Sequence, residues 1–234
     1  TTLTDSGAIA AFVANGVSLT IGANTADTPP VILTPIGDDI YEIEETFTGN
    51  IALSAGEINA ILGVSTDNAR FIDEGEEKEG DKPTVQIVAT DDLAVEGVVN
   101  DTIVFEVSQD NVSNFETKVV AKLDLDEVEL ADISSITYTD AGGTATVLTA
   151  GQITSLTDGT GLEVLIPVGS SGKPSFTITA VDDDIYEQSE SFGMNISGEV
   201  NATLGTSSDT AAIEDEEEKE GDKPTVQIVA TDDL

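Results

Sequence analysis

The sequence has no cysteine, no histidine and no tryptophan among its 234 residues. Without histidine or cysteine the chain cannot form a Ser-His-Asp or Cys-His catalytic site, a Cys/His zinc site or a disulfide framework. Basic residues are also scarce, because Lys and Arg together number only 8. Nucleic acid and anionic membrane surfaces are therefore excluded as partners, since binding to either requires basic charge.

Acidic and β-branched residues are abundant. Asp and Glu number 46, which gives a net charge of −38, yet 39% of the residues are hydrophobic. Disordered acidic chains are poor in such residues, so this composition predicts a folded chain with a core. No apolar run approaches the roughly 18 residues of a membrane span, and we expect no membrane insertion. A metal ion could be bound only by oxygen ligands.

A long internal repeat organises the chain. The seventeen letters EKEGDKPTVQIVATDDL occur at 77–93 and again at 218–234, an offset of 141 residues. The pentapeptide DDIYE occurs at 38–42 and at 183–187. A repeat of this length is a domain rather than a solenoid unit. We expect an internal part of a longer tandem array: residues 1–80 as the back part of one repeat, 81–223 as a complete repeat with acidic linkers, and 224–234 as the first strand of a third.

The periodicity predicts an all-β fold. Short segments rich in Val, Ile and Thr, such as 84–89, 102–108 and 118–125, alternate with turn residues. Within them apolar side chains occupy every second position, as at Phe176 and Ile178, or Phe192 and Met194. This pattern is typical of strands with one buried face and one solvated face. It favours a sandwich of two antiparallel sheets, with at most one short helical turn at 127–132.

Acidic residues cluster at strand ends. The runs at 182–184 and 214–218 each follow a predicted strand, and alternate loops of a sandwich lie at the same pole. Two carboxylates 5 Å apart repel by roughly 3 kcal/mol at an effective dielectric of 20. Calcium, which takes six to eight oxygen ligands, would relieve that repulsion and suits the site better than magnesium. The alternative interpretation is that each run is a solvated loop.

The motif DDDIYEQSESF at 182–192 resembles the signature of Calx-β domains. The opening PTV at 83–85, the VEG at 95–97 and the close AIEDE at 212–216 resemble the same family. The resemblance covers the complete repeat and the back part of the first one. It implies an immunoglobulin-like antiparallel β-sandwich that binds Ca²⁺ at one pole.

The resemblance also implies a set of metal ligands. In the complete repeat these are Glu96, Asp126, Asp182, Asp183, the carbonyl of Ile185, Glu187, Glu190, Glu214, Asp215 and Glu216. In the first repeat they are Asp38, Asp39, Ile40, Glu42, Glu45, Asp73 and Glu74. Gly37 stands where the second copy has Asp182, so we expect weaker calcium binding at the first site.

The expected function is that of a calcium-binding structural extender repeat of a large secreted bacterial surface adhesin of the repeats-in-toxin type. Its partners would be neighbouring repeats of the same chain, with weak self-association and an adhesive target that the sequence does not name. The alternative is a calcium-sensing or ligand-binding Calx-β module. Tyr41 and Tyr186 are interpreted as packing anchors of the acidic turns rather than as ligand-stacking residues. A glycosidase carboxylate pair is disfavoured because aromatic residues make up only 4% of the chain.

Overall fold

The computed structural model describes residues 6–24, 30–56, 59–72, 81–183, 185–215 and 223–229. The chain divides into two compact units. The first comprises residues 1–38 and 43–78, and the second comprises 39–42 and 79–234. The predicted division into repeats at 1–80, 81–223 and 224–234 stays a prediction.

Four elements precede residue 81: α1 (Ser6–Asn15), β1 (Ile40–Tyr41), β2 (Glu45–Asn50) and β3 (Thr66–Phe71). Of these, β1 belongs to the second unit. In the first unit β2 and β3 form an antiparallel pair, in which Phe47 lies opposite Ala69. The rings of Phe47 and Phe71 are 5.0 Å apart between centroids.

The second unit contains the remaining elements, most of which are strands. In chain order they are β4 (Thr84–Asp91), β5 (Leu93–Val95), β6 (Ile103–Gln109), β7 (Val112–Ser113), β8 (Thr117–Asp124), a 3-10 helix (Leu130–Asp132), β9 (Ile133–Thr139), β10 (Ala145–Val147), α2 (Ala150–Thr157), β11 (Leu162–Ile166), β12 (Ser175–Ala180), β13 (Glu190–Val200), β14 (Thr203–Leu204) and β15 (Ser208–Glu214).

All of these strands except β7, which pairs with β1, form two facing sheets. One sheet has the order β10-β9-β12-β6-β4-β14, and the other has the order β11-β8-β13-β15-β5. Most neighbours are antiparallel, as the alternation predicts, but β14 pairs in parallel with β4 and β15 pairs in parallel with β5. The chain passes from one sheet to the other between β4 and β5, just after a bulge at Ala89 and Asp91. A strand that changes sheets in this way closes the edge of the sandwich.

The core lies between the inner faces of the two sheets. Phe105 from β6 and Phe192 from β13 meet there edge to face, with ring centroids 5.9 Å apart. The alternating residues predicted to face inward are buried on β8, β12 and β13. The all-β, immunoglobulin-like sandwich is therefore confirmed.

Helical structure is more extensive than the sequence pattern predicts. Helix α2 begins after Thr149, whose hydroxyl accepts a bond from the backbone N–H of Gln152, while the Gln152 side chain accepts from the Thr149 N–H. This reciprocal cap is a recognised start signal that the periodicity argument missed. The turn expected at 127–132 is present as the 3-10 helix. Neither helix in the described part of the chain has the length and apolar character needed to cross a bilayer.

Candidate metal centre

The strand topology brings four chain segments to one pole of the sandwich. They are the segment after β5, the loop between β8 and β9, the loop between β12 and β13, and the segment after β15. The parallel strands β5 and β15 both end there, and β13, antiparallel to β15, begins there. β8 is antiparallel to β13 and ends at the same pole, where Asp124 lies opposite Gly193. In the other sheet β12 ends and β9 begins at this pole, since Ala180 pairs with Ile133. We call this end of the second unit the acidic pole.

Glu96 lies at the centre of the acidic pole because of the sheet change between β4 and β5. The backbone N–H of Glu96 donates to the carbonyl of Glu214 at 2.8 Å, which continues the parallel pairing beyond Val95. Gly97 follows with a φ of 69°, a left-handed conformation that turns the chain away. The side chain of Glu96 is only 6% exposed. A buried carboxylate requires a partner, because burial disfavours its charged form.

The surroundings of Glu96 are acidic. Its pKa is raised to about 7, first by burial and then by repulsion from the carboxylates of Glu187, Asp183, Asp215 and Asp132. Each of these groups comes from a different strand end. No lysine or arginine in the described part of the chain offsets the shift. The described part of the fold therefore gathers negative charge around a buried carboxyl group, and none of its basic side chains offsets that charge.

Two further carboxyl groups at the pole show the same effect. The pKa of Glu187 is raised by burial and then by Asp132, Glu190 and other carboxylates. The pKa of Glu190 is raised by burial and then by Asp132, Glu129 and Glu127. Asp132 is the first electrostatic contributor in both cases. The three predicted ligands Glu96, Glu187 and Glu190 thus share one electrostatic environment.

Asp132 is a residue of this pole that the sequence argument missed. It closes the 3-10 helix, is 8% exposed, and its Oδ2 accepts from the backbone N–H of Glu129 at 2.6 Å. Its carbonyl accepts from the N–H of Val181 at 2.7 Å, which fixes it beside the end of β12. The usable signal was its position directly before β9, a strand that pairs with the one leading into the acidic turn.

Asp126 is the predicted ligand chosen from this loop, and the structure places it just after the end of β8. It is exposed, has a left-handed φ of 44°, and lines a shallow depression together with Asp124 and Asp209. It is not among the groups that raise the pKa of Glu96, Glu187 or Glu190. Within the described residues, Asp132 rather than Asp126 is thus the aspartate of this loop that acts electrostatically on Glu96, Glu187 and Glu190.

Hydrogen bonds fix several of the acidic side chains. The N–H of Glu187 donates to Oδ2 of Asp215 at 3.4 Å, and the N–H of Ile185 donates to Oδ1 of Asp183 at 2.7 Å. Ser191 donates to Oε2 of Glu127 from its N–H at 3.2 Å and from its hydroxyl at 3.0 Å. The loop between β12 and β13 is thus tied to the end of β15, and the start of β13 is tied to the loop after β8.

The other predicted ligands of the complete repeat are more open. Asp182 and Asp183 are exposed after β12, while Glu214 and Asp215 are half-buried at the end of β15. Ile185 is 59% exposed and Tyr186 is 46% exposed, and the interpretation of Tyr186 as a packing anchor stays a prediction. Glu216 lies outside the described residues. Among the residues that the structure does describe, no group of three or more acidic side chains has the arrangement of a metal site.

The ligands predicted for the first repeat fall into two groups. Asp38 and Glu45 belong to the first unit, and Asp39, Ile40 and Glu42 belong to the second. Asp73 and Glu74 lie outside the described residues. This second candidate site therefore stays a prediction.

Comparisons with solved structures give distant similarities. Similar solved structures include the apo form of the Calx CBD1 domain, at 14% identity and a TM-score of 0.37 over 57% of this chain and 99% of that one. CBD12 from CALX1.2 has 14% identity and a TM-score of 0.36, with 56% of this chain aligned. The collagen-binding domain from a Staphylococcus aureus adhesin has 13% identity and a TM-score of 0.26, covering 56% of this chain and 96% of that one.

These similarities are too distant to support a conclusion on function. The aligned part also spans only 44% of the CBD12 chain. No protein-family model matches the sequence, and no curated protein matches it.

Proposed function

We propose that this chain is a calcium-binding structural repeat of a large secreted bacterial surface adhesin. In this proposal Ca²⁺ binds at the acidic pole, holds the strand ends together and stiffens the junction with the next repeat. The role is mechanical rather than enzymatic, and the chain would extend a distal adhesive domain away from the cell surface. The repeated acidic linkers support a tandem arrangement, since the same residues precede Pro83 and Pro224.

The observation that carries the proposal is Glu96. Glu96 is 6% exposed, four further carboxylates act on its carboxyl group, and no basic side chain in the described part of the chain offsets them. Protonation or a bound cation is needed to keep such a group buried. All available donors are oxygens, and a hard cation prefers them. Calcium tolerates irregular geometry with six to eight ligands, whereas magnesium demands a compact octahedron.

A cation at this position would connect the two sheets. Glu96 and Asp215 follow strands of the five-stranded sheet, while Asp132 precedes β9 and Asp183 follows β12 in the six-stranded sheet. A cation bound there would oppose separation of the two sheets at the end where carboxylates repel one another. This arrangement accounts for stiffening of the repeat without any change in its core.

The proposal is tested by direct measurement of calcium binding with isothermal titration calorimetry. The Glu96→Gln variant removes one charge at the acidic pole, and Glu199→Gln removes one exposed charge near the other end of β13. We expect Glu96→Gln to weaken calcium affinity at least tenfold and Glu199→Gln to leave it nearly unchanged. Wild-type protein that binds no calcium at millimolar concentration would refute the proposal.

A calcium sensor or ligand-binding module is the second candidate. It would use the same carboxylates, but as a switch at low calcium concentration. The same titration separates the two candidates, because an extracellular structural site works at 10⁻⁴–10⁻³ M and a sensor at roughly 10⁻⁷–10⁻⁵ M. The near-identity of the two linkers favours the structural repeat, since a sensor does not need many equal copies.

A further inference from the structure

We propose that Ile185 and Tyr186 form a docking strand that pairs with the edge of the following repeat. The inference starts from the pentapeptide DDIYE, which occurs at 38–42 and at 183–187. Its two copies have different surroundings in the structure. The inference rests on the tandem arrangement of the proposed function but not on calcium binding.

The first copy is already docked on the complete domain. β1 pairs in parallel with β7, with Ile40 opposite Val112 and Tyr41 opposite Ser113. The Tyr41 ring meets Phe115 edge to face, with centroids 5.7 Å apart and an interplanar angle of 63°. Such aromatic pairs favour association beyond the area they bury. Two residues of the motif thus add a short strand to the sandwich.

Polar contacts fix the orientation of this added strand. The backbone N–H of Asn114 donates to the carbonyl of Tyr41 at 3.1 Å. The side-chain amide of Asn114 donates to Oε1 of Glu42. The motif is therefore recognised through its backbone, its tyrosine ring and its final glutamate. Strand addition of this kind takes affinity from the backbone and specificity from the side chains.

The second copy presents the same side chains to solvent. Ile185 is 59% exposed and Tyr186 is 46% exposed, whereas Ile40 and Tyr41 are half-buried. The ammonium group of Lys223 lies over the Tyr186 ring, with Nζ 5.5 Å from the ring centroid. Lys223 immediately precedes Pro224, where the next copy of the repeat sequence starts.

The spacing selects a following repeat as the occupant. Tyr41 precedes Thr84, the first residue of β4, by 43 positions, and Tyr186 precedes its counterpart Thr225 by 39. A repeat that begins at Thr225 would carry its own β7 segment at a comparable distance from the motif. A second copy of this chain fits less well, because its β7 is already paired with its own β1.

Disulfide trapping tests the proposal cleanly, since the chain has no cysteine of its own. The tested protein is the full chain extended after Leu234 by a second copy of residues 94–217. One cysteine replaces Ile185, and the other replaces the appended counterpart of Val112. Ile40→Cys with Val112→Cys is the positive control, because those residues are paired in β1 and β7. Ile185→Cys with the appended counterpart of Val147, on an edge strand, is the negative control.

We expect the test pair to cross-link at least ten times faster than the negative control and within a few-fold of the positive control. Tyr186→Ala should lower the melting temperature of the appended repeat in the extended chain and leave that of the original chain nearly unchanged. Cross-linking no faster than the negative control would overturn the proposal. An appended repeat that does not unfold cooperatively would also count against it, since the docking strand is inferred to support that repeat.

The same experiment separates this inference from the proposed function. Cross-linking is measured in calcium and in excess chelator. Rapid cross-linking in a protein that binds no calcium would support docking and refute the calcium role. Calcium binding without cross-linking in either condition would refute docking alone.

Discussion

The pentapeptide TVQIV, at 84–88 and again at 225–229, has two different environments in one chain. In β4 the side chains of Val85 and Ile87 are 0% exposed. In the copy that begins at Thr225 the corresponding Val226 and Ile228 are 94% and 100% exposed, and the described residues there form no strand. Local propensity is the same in both places, so neighbours decide the outcome. β4 has β6 and β14 beside it and the second sheet across the core.

Hydrogen exchange gives the largest expected contrast between the two copies. Amides of β4 open only with the whole domain, so their exchange should be slowed by at least about a thousandfold at a typical stability of 5 kcal/mol or more. Amides at 225–229 should exchange at nearly the unprotected rate. Mass spectrometry can distinguish the two peptides if Ile228→Val is used as a mass tag. Strong protection at 225–229 would mean that the backbone of this copy is hydrogen-bonded to another strand, and would contradict the expected contrast.

Matched core substitutions give the next largest contrast. Ile87→Ala should lower the free energy of unfolding by about 3 to 4 kcal/mol, because it leaves a cavity between the sheets. Ile228→Ala makes the same chemical change at an exposed position and should stay within about 0.5 kcal/mol. Guanidinium unfolding of both variants measures the difference. Equal losses would show that the C-terminal copy packs as β4 does.

How far the sequence predicted this structure depends on the range of the contacts involved. The inward positions of β8, β12 and β13 follow from alternation alone, since each strand reports its own buried face. Asp132 could not be found that way, because its role depends on pairing between β9 and β12. The sequence also did not predict that Tyr186 is exposed. The identical motif at Tyr41 packs against Phe115, so the difference between the two tyrosines depends on their neighbours and not on the motif. Identical letters thus failed to predict identical burial at two places in the chain.

The pH dependence of the metal-free protein gives a smaller effect confined to the packed copy. The folded domain holds the Glu96 proton up to about pH 7, whereas the ordinary pKa is 4.5. Preferential protonation of Glu96 in the folded state therefore stabilises the domain fully below pH 4.5, and this contribution is lost as the pH rises through 7. Glu96 alone accounts for at most about 3 kcal/mol. In chelator, β4 protection should fall between pH 5 and pH 8 after correction for intrinsic exchange, while that of 225–229 should not change.

Glu96→Gln supplies the control for this pH effect. The amide cannot ionise, so the fall in stability between pH 5 and pH 8 should become shallower. Glu199→Gln, an exposed change near the other end of β13, should leave the slope as it is in the wild-type protein. A slope unchanged by Glu96→Gln would show that the buried carboxyl group is not its source.

The most direct test of the central claim is the melting temperature with calcium and with excess chelator, for wild-type protein and Glu96→Gln. A roughly hundredfold excess of calcium over its Kd stabilises a folded site by about 2.7 kcal/mol. We therefore expect calcium to raise the wild-type melting temperature by several degrees. In chelator Glu96→Gln should be more stable than the wild type, because repulsion is relieved, and in calcium it should gain much less. A wild-type melting temperature that is the same in calcium and in chelator would contradict the account.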